Sequence, residues 1–205
     1  MIRPSPRTVI IAIVAVLAAG ALGAGGWYWR GMTQQRALTA YVGALTRAEA
    51  AQAPQAAPDA RLAAIRELES VLGQYPSGPA VAEVAYQLGN LRYQAQQYAQ
   101  ARAAYEVALA QGATRTLRPL SLGAVAYTWE AERNYSKAVE AFKTALTGLG
   151  PKDFYYEELL LGLGRAQELA GQKADAIATY QRALGELGQS RRAEEIRARL
   201  SALGP

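Results

Sequence analysis

The feature that most constrains this chain is a pattern that returns every 37 or 38 residues. An alanine, a bulky residue four positions on, and two small or aliphatic residues beyond it occur as Ala64, Leu68, Val71, Leu72; Ala101, Tyr105, Ala108, Leu109; Ala138, Phe142, Ala145, Leu146; and Ala176, Tyr180, Ala183, Leu184. At about 3.6 residues per turn, steps of four, three and one stay on one helix face, with a small residue at a close crossing and a bulky one filling the gap beside it. Twelve residues before the last three alanines lies a second small-residue contact: Leu88-Gly89, Val125-Ala126 and Leu163-Gly164. Two helices per period, each needing its neighbour to bury its apolar face, predict an all-α solenoid.

These residues carry a resemblance to the tetratricopeptide repeat (TPR) family. The stretch 82–115 fits its 34-residue pattern, with Leu88-Gly89 as the leucine-glycine pair, Tyr98 in the turn, and Ala101, Tyr105 and Ala108 as the later signature positions. The turn Gly171-Gln172-Lys173-Ala174-Asp175-Ala176 and the Tyr75-Pro76 pair also resemble the family. Where it often has tryptophan, this chain has Ala85, Leu122 and Leu160, and its longer period adds three or four residues to each inter-repeat loop. The resemblance implies a degenerate first helix pair at 30–79, repeats at 82–115, 119–152 and 157–190, and a charged capping helix at 191–205.

Before the repeats, Thr8 to Trp29 is a run of 22 residues without a charge. As a helix it reaches roughly 33 Å, enough for a hydrocarbon core of about 30 Å. A short tail, 1–7, with Arg3 and Arg7 precedes it, and Trp27, Tyr28 and Trp29 close it with rings suited to the membrane interface. An uncleaved single-pass helix over 8–29 is expected, in contact with the lipid bilayer; cleavage of a signal peptide after Ala21 is the rival reading. Ala15, Ala19 and Gly23 recur every four residues, either as a transmembrane packing stripe or as chance in an alanine-rich segment. Charges on the two sides nearly balance, so orientation rests on the short basic tail remaining cytoplasmic, which places the repeats on the outer, periplasmic side of the inner membrane.

The whole layout resembles bacterial single-span inner-membrane proteins with an exported TPR-like domain, typified by the ancillary subunit of the Sec translocon; Gly26-Trp27-Tyr28-Trp29-Arg30 and Ala40-Tyr41 carry the likeness. It implies a scaffold for protein export or envelope assembly. The alternative is a permanent accessory subunit of a large inner-membrane complex.

Composition argues against chemistry. The chain has no histidine and no cysteine, which removes the usual general base, the thiolate nucleophile and most transition-metal ligands. There is no phosphate-binding glycine loop and no nucleophile elbow. No catalytic residue, cofactor, metal or small-molecule substrate is expected. A formal charge of +5, two of it from Arg3 and Arg7, is too weak for a nucleic-acid partner. Glu157-Glu158 and Glu194-Glu195 point about 100° apart on a helix, and they read, with Glu130 and Glu132, as solvated faces.

The expected partners are therefore other proteins. The family resemblance puts an inner face on the first helix of each unit, made here by Glu83, Tyr86, Asn90, Tyr93 and Gln94, then by Leu120, Gly123, Tyr127, Glu130 and Ala131, then by Glu158, Leu161, Arg165, Glu168 and Leu169. Tyr86 stands where the family's carboxylate clamp needs a lysine, so a free C-terminal carboxylate is not the expected ligand. Tyr86, Tyr93 and Tyr127 either contact a partner or pack between helices.

Overall fold

The protein is described by a computed structural model over residues 6–53, 55–78, 80–187 and 190–204; within 6–30 it describes the side-chain surroundings of Gly20, Gly23, Ala24, Gly26, Trp27, Tyr28 and Trp29. Among the described residues the chain forms nine helices: α1 (Pro6–Gln52), α2 (Pro58–Gln74), α3 (Val81–Gln94), α4 (Tyr98–Ala110), α5 (Leu117–Ala131), α6 (Tyr135–Leu146), α7 (Tyr156–Leu169), α8 (Lys173–Glu186) and α9 (Ala193–Leu203).

The alanine-led faces fall on α2, α4, α6 and α8, and burial follows their spacing. Ala64, Ala101, Ala138 and Ala176 are buried, as are the bulky residues Leu68, Tyr105, Phe142 and Tyr180. The partner helices make room for the rings. A Cβ added to Gly89 would lie 2.3 Å from the Tyr105 ring, and one on Gly164 would lie 2.6 Å from Tyr180. Glycine at these positions lets the two helices of a pair approach across a flat ring.

Each helix packs on the next in order, and the first helices also touch in series, α1 on α3, α3 on α5 and α5 on α7. The second helices have no such series among the described residues. The solenoid therefore closes up along its first-helix side, which becomes the inner face.

The turn inside each pair is the same three times. Gln96, Arg133 and Gly171 occupy the left-handed region at φ 60°, 60° and 75°. The next N–H donates back to the carbonyl five residues earlier: Gln97 to Arg92 at 2.8 Å, Asn134 to Trp129 at 2.9 Å and Gln172 to Gln167 at 2.9 Å. This helix stop satisfies carbonyls that would otherwise be orphaned. At the far end α9 lays Ile196, Leu200 and Leu203 on the α8 cluster around Tyr180 and Ala183.

At the near end α1 runs without interruption from Pro6 to Gln52, about 70 Å. The segment read as a membrane helix and the first helix of the degenerate pair are thus one element, with no break at position 30. Its later half buries Ala37, Tyr41, Ala44, Ala48 and Ala51, a single stripe, against α2 and α3. The expected span at 8–29 falls largely outside the residues whose side chains are described. Among the described residues no helix is long and apolar enough to cross a membrane.

One expectation needs correction. Glu130 and Glu158 are not solvated faces: both are half-buried and ion-paired across repeats, Glu130 with Arg165 at 2.9 Å and Glu158 with Arg192 at 2.6 Å. Burial is tolerated because each carboxylate meets a guanidinium supplied about 35 residues away in sequence.

Candidate functional site

The inner face carries a cleft of about 220 Å³ where α3, α5 and the loop before α7 meet. Helix α3 supplies Tyr86, Asn90 and Tyr93, spaced four and three apart and so on one side of the helix. Helix α5 supplies Leu120, Ala124 and Tyr127 by the same spacing. Tyr105 reaches in from α4 and Tyr155 from the α6–α7 loop.

Hydrogen bonds fix the floor. The buried Tyr105 hydroxyl donates to Asn90 Oδ1 at 3.0 Å, and Asn90 Nδ2 donates to Gln87 Oε1 at 3.1 Å. Gln87 also accepts from Gln52 of α1 at 2.9 Å and donates to Glu83 at 3.1 Å, which ties the first helix pair to the second. On the other side the Tyr127 hydroxyl donates to Glu158 Oε1 at 2.7 Å, while Arg192 holds the second oxygen of that carboxylate. Arg165 grips both oxygens of Glu130 and lies 5.5 Å from the Tyr127 ring centroid.

The rings are held by one edge and open by the other. Tyr86 packs on Tyr105 at 5.7 Å and Tyr127 meets Phe142 edge-on at 5.1 Å. Tyr86, Tyr93 and Tyr127, read from sequence as either packing residues or partner contacts, are half-buried, each seated on a neighbouring ring while lining the cleft. Burial pushes the hydroxyl pKa values of Tyr86, Tyr93 and Tyr127 upward, with the Glu158 hydrogen bond and charge adding to the effect at Tyr127. At Tyr155 burial and the nearby Glu158 push it up to about 12. All four stay neutral at physiological pH and present hydroxyl groups, not phenolates.

Of the residues read from sequence as an interaction surface, Tyr86, Asn90, Tyr93 and Tyr127 come together in this cleft, with the Glu130–Arg165 pair beside them. Glu83 and Gln94 do not line it, and Glu168 is turned to Arg199 at 3.3 Å. Sequence reading missed Tyr155. This residue holds φ 72°, a costly conformation for a side chain with a Cβ. A Cβ on Gly123 would lie 2.6 Å from the Leu159 side chain and 3.0 Å from the Tyr155 ring, so the two share the space over that glycine. The available signals were the extra loop residues and the bare Gly123, but neither shows that Leu159 and Tyr155 would share the gap.

Trp27, Tyr28 and Trp29 are 81%, 65% and 74% exposed, uncovered by the repeats. A Cβ on Gly23 would meet nothing within 4 Å, so no described helix opposes it; Ala15 and Ala19 lie outside the described side chains. Among the described residues no group of three or more His, Cys, Asp or Glu is placed to hold a metal ion.

No family model matches the chain, and no curated protein matches its sequence. Its fold is similar to the crystal structure of MamA protein, with a TM-score of 0.53 and 19% identity over 65% of this chain and 67% of that one. It is also similar to the crystal structure of a Podosopora anserina putative kinesin light chain with nearly identical TPR-like repeats, with a TM-score of 0.55 and 17% identity over 83% of this chain and 95% of that one. At such identities the likeness shows the fold: an all-α, TPR-like solenoid.

Proposed function

We propose that this chain is a non-catalytic protein-interaction scaffold whose inner helical face receives a segment of a protein partner, and that 8–29 anchors it in the inner membrane with the repeats on the periplasmic side, where it assists protein export or envelope assembly. The observation that carries the reading is the tyrosine-lined cleft, a site with rigid rings and no catalytic set among the described residues. Tyrosines give contact area and hydrogen bonding at low conformational cost. The anchor is supported by the uncharged run 8–29, the exposed aromatic triplet at its end, and the continuity of α1. Ala37, the first buried core residue among the described side chains of α1, lies eight positions after Trp29, about 12 Å along the helix. A partner would be met close to the bilayer.

A photo-crosslinking side chain at Tyr93 should trap a partner in intact membranes, whereas the same group at the exposed Val107 of α4 should not. Equal trapping at both positions would remove the inner face from the proposal. Alkaline washing should leave the full chain in the membrane and release a form lacking 1–29.

Exposed Met32, Leu38 and Val42 on α1 favour the second reading, a permanent accessory subunit whose neighbour covers that stripe. Co-migration with a complex at fixed stoichiometry on a native gel would support it.

A further inference from the structure

We infer that the outer side of α1 is a self-association surface: a second copy of this chain lies parallel to the first and in register, with Leu38 and Val42 at the centre of the contact. This rests on the membrane anchor proposed above, and it names the neighbour of the exposed α1 stripe.

The two ends of the solenoid are finished differently. A terminal unit of such a stack stays soluble by turning a polar face outward. At the far end α9 does so, with Glu194 and Arg197 exposed and paired with each other. At the near end α1 does not. Its buried stripe from Ala37 to Ala51 faces α2 and α3, and the side turned away carries Trp27, Gly31, Leu38 and Val42, all exposed, with half-buried Leu45 at its edge. At about 100° per residue these five fall within about 60° of one another. A contiguous apolar face of this kind marks an interaction surface. Lipid covers only its beginning, because along a helix leaving the bilayer Leu38 stands about 13.5 Å beyond Trp29 and Val42 about 19.5 Å. The rest needs protein.

Three properties point to a second copy as that protein. The first is charge. Between Gly31 and Ala48 the only charged residues are Arg36 and Arg47. Both fall about 160–180° around the helix from Leu38, and Arg47 is held there by Glu67. Two identical faces therefore meet without opposing like charges. The second is hydrogen bonding. The hydroxyls of Thr39 and Thr46, which flank the face, already donate to the carbonyls of Gln35 and Val42 at 3.1 and 2.9 Å, so covering them costs little. Exposed Gln35 carries an amide, which both donates and accepts and so can pair with its own copy. The third is orientation. Copies anchored by the same single helix enter the bilayer the same way round and show this face at the same height. A twofold axis along the membrane normal then brings each residue of the face to its own equivalent. Gly31, where an added Cβ would meet nothing within 4 Å, leaves room for close approach.

Size sets the limit. From Trp27 to Leu45 the face is about 27 Å long, and at the roughly 10 Å width of a helix it offers about 270 Å² per copy, well below the roughly 800 Å² per partner of stable interfaces. The contact therefore holds where the anchor confines the chains to one bilayer, and a form lacking 1–29 is monomeric.

The chain has no cysteine, so single substitutions report on the contact directly. In intact membranes treated with a mild oxidant, Leu38→Cys or Val42→Cys should give a disulfide-linked species of twice the chain's mass. The yield should exceed that of Arg36→Cys, on the opposite side, at least about tenfold, because a disulfide forms only where Cα atoms come within about 7 Å. Adding Val42→Lys to the Leu38→Cys chain should cut the yield at least about fivefold with the melting temperature unchanged, since Val42 is 64% exposed. Co-expression with a Leu38→Cys chain carrying Val42→Glu should restore it. Equal yields at Arg36, Leu38 and Val42, or disulfides from Leu38→Cys to another protein and none to its own kind, would overturn the assignment. Alkaline washing of the same membranes separates it from the reading it rests on. No dimer from a chain that stays in the membrane removes the second copy alone, and no dimer from a chain that washes out removes both. A dimer that persists in the form lacking 1–29 removes the dependence on the anchor.

Discussion

The α3/α4 pair and the α5/α6 pair solve one contact with different residues. In the first, Gly89 faces Tyr105, whose hydroxyl is tethered to Asn90. In the second, the equivalent positions hold Ala126 and Phe142, both fully buried in one cluster, and the place of Asn90 is taken by Tyr127, which meets Phe142 edge-on. A methyl group on the first helix goes with the loss of a hydroxyl on the second. A tethered ring cannot slide to admit a Cβ; an untethered one can. Between these two pairs the contact keeps its shape while its chemistry differs, tethered by a hydroxyl in one and purely aromatic in the other.

The largest expected effect breaks that comparison directly. Gly89→Ala puts a Cβ into the pinned Tyr105 ring and should lower stability by about 3 kcal/mol, the upper end of overpacking costs, read from the urea midpoint at unchanged slope. Adding Tyr105→Phe, which cuts the tether, should recover part of the loss. Strict additivity of the two changes would show that the tether does not set the ring's position.

Next in size is the register of the α5/α6 pair. Ala138 is fully buried at the crossing and Ala131 is half-buried at the end of α5. Ala138→Leu should cost about 2 kcal/mol and Ala131→Leu less than about 0.5 kcal/mol. Equal small losses would mean that the small-residue face has been misassigned.

The turns offer a smaller comparison. Arg133 adopts the conformation that Gly171 adopts in the next unit, so Arg133→Gly should gain up to about 1 kcal/mol and Gly171→Ala should lose about as much. A loss at both would indicate that the Arg133 side chain has a structural partner that outweighs its backbone strain. Smallest of all, Asn134 caps α6 by accepting from the Lys137 N–H at 3.3 Å, whereas Gln97 makes no such bond at the start of α4. Asn134→Ala should cost about 0.5 kcal/mol and Gln97→Ala nothing measurable.

Much of the solenoid was legible because helix periodicity is local. The spacing of Ala101, Tyr105 and Ala108 marks a face whatever lies opposite, and repeating that face implies a neighbour of the same kind. The inner surface was legible in part for the same reason: Tyr86, Asn90 and Tyr93 share one side of α3 by spacing alone. The carboxylates were misread because adjacency in sequence was the only test available. Glu158 finds Tyr127 and Arg192, 31 and 34 positions away, only after the repeats stack.

The sequence by itself determined which residues each helix buries, since about 100° of rotation per residue turns a string of letters into faces. It determined too that bulky rings alternate with small residues along those faces. Only the tertiary structure decided which faces of different repeats oppose each other. That depends on how far each pair rotates on the last, a property of the packed rings and not of any one helix. Tyr155 shows the limit. Its place in the cleft combines a left-handed backbone in the loop with the space over Gly123 in the preceding repeat, which it shares with Leu159, and these are joined only when the chain has folded.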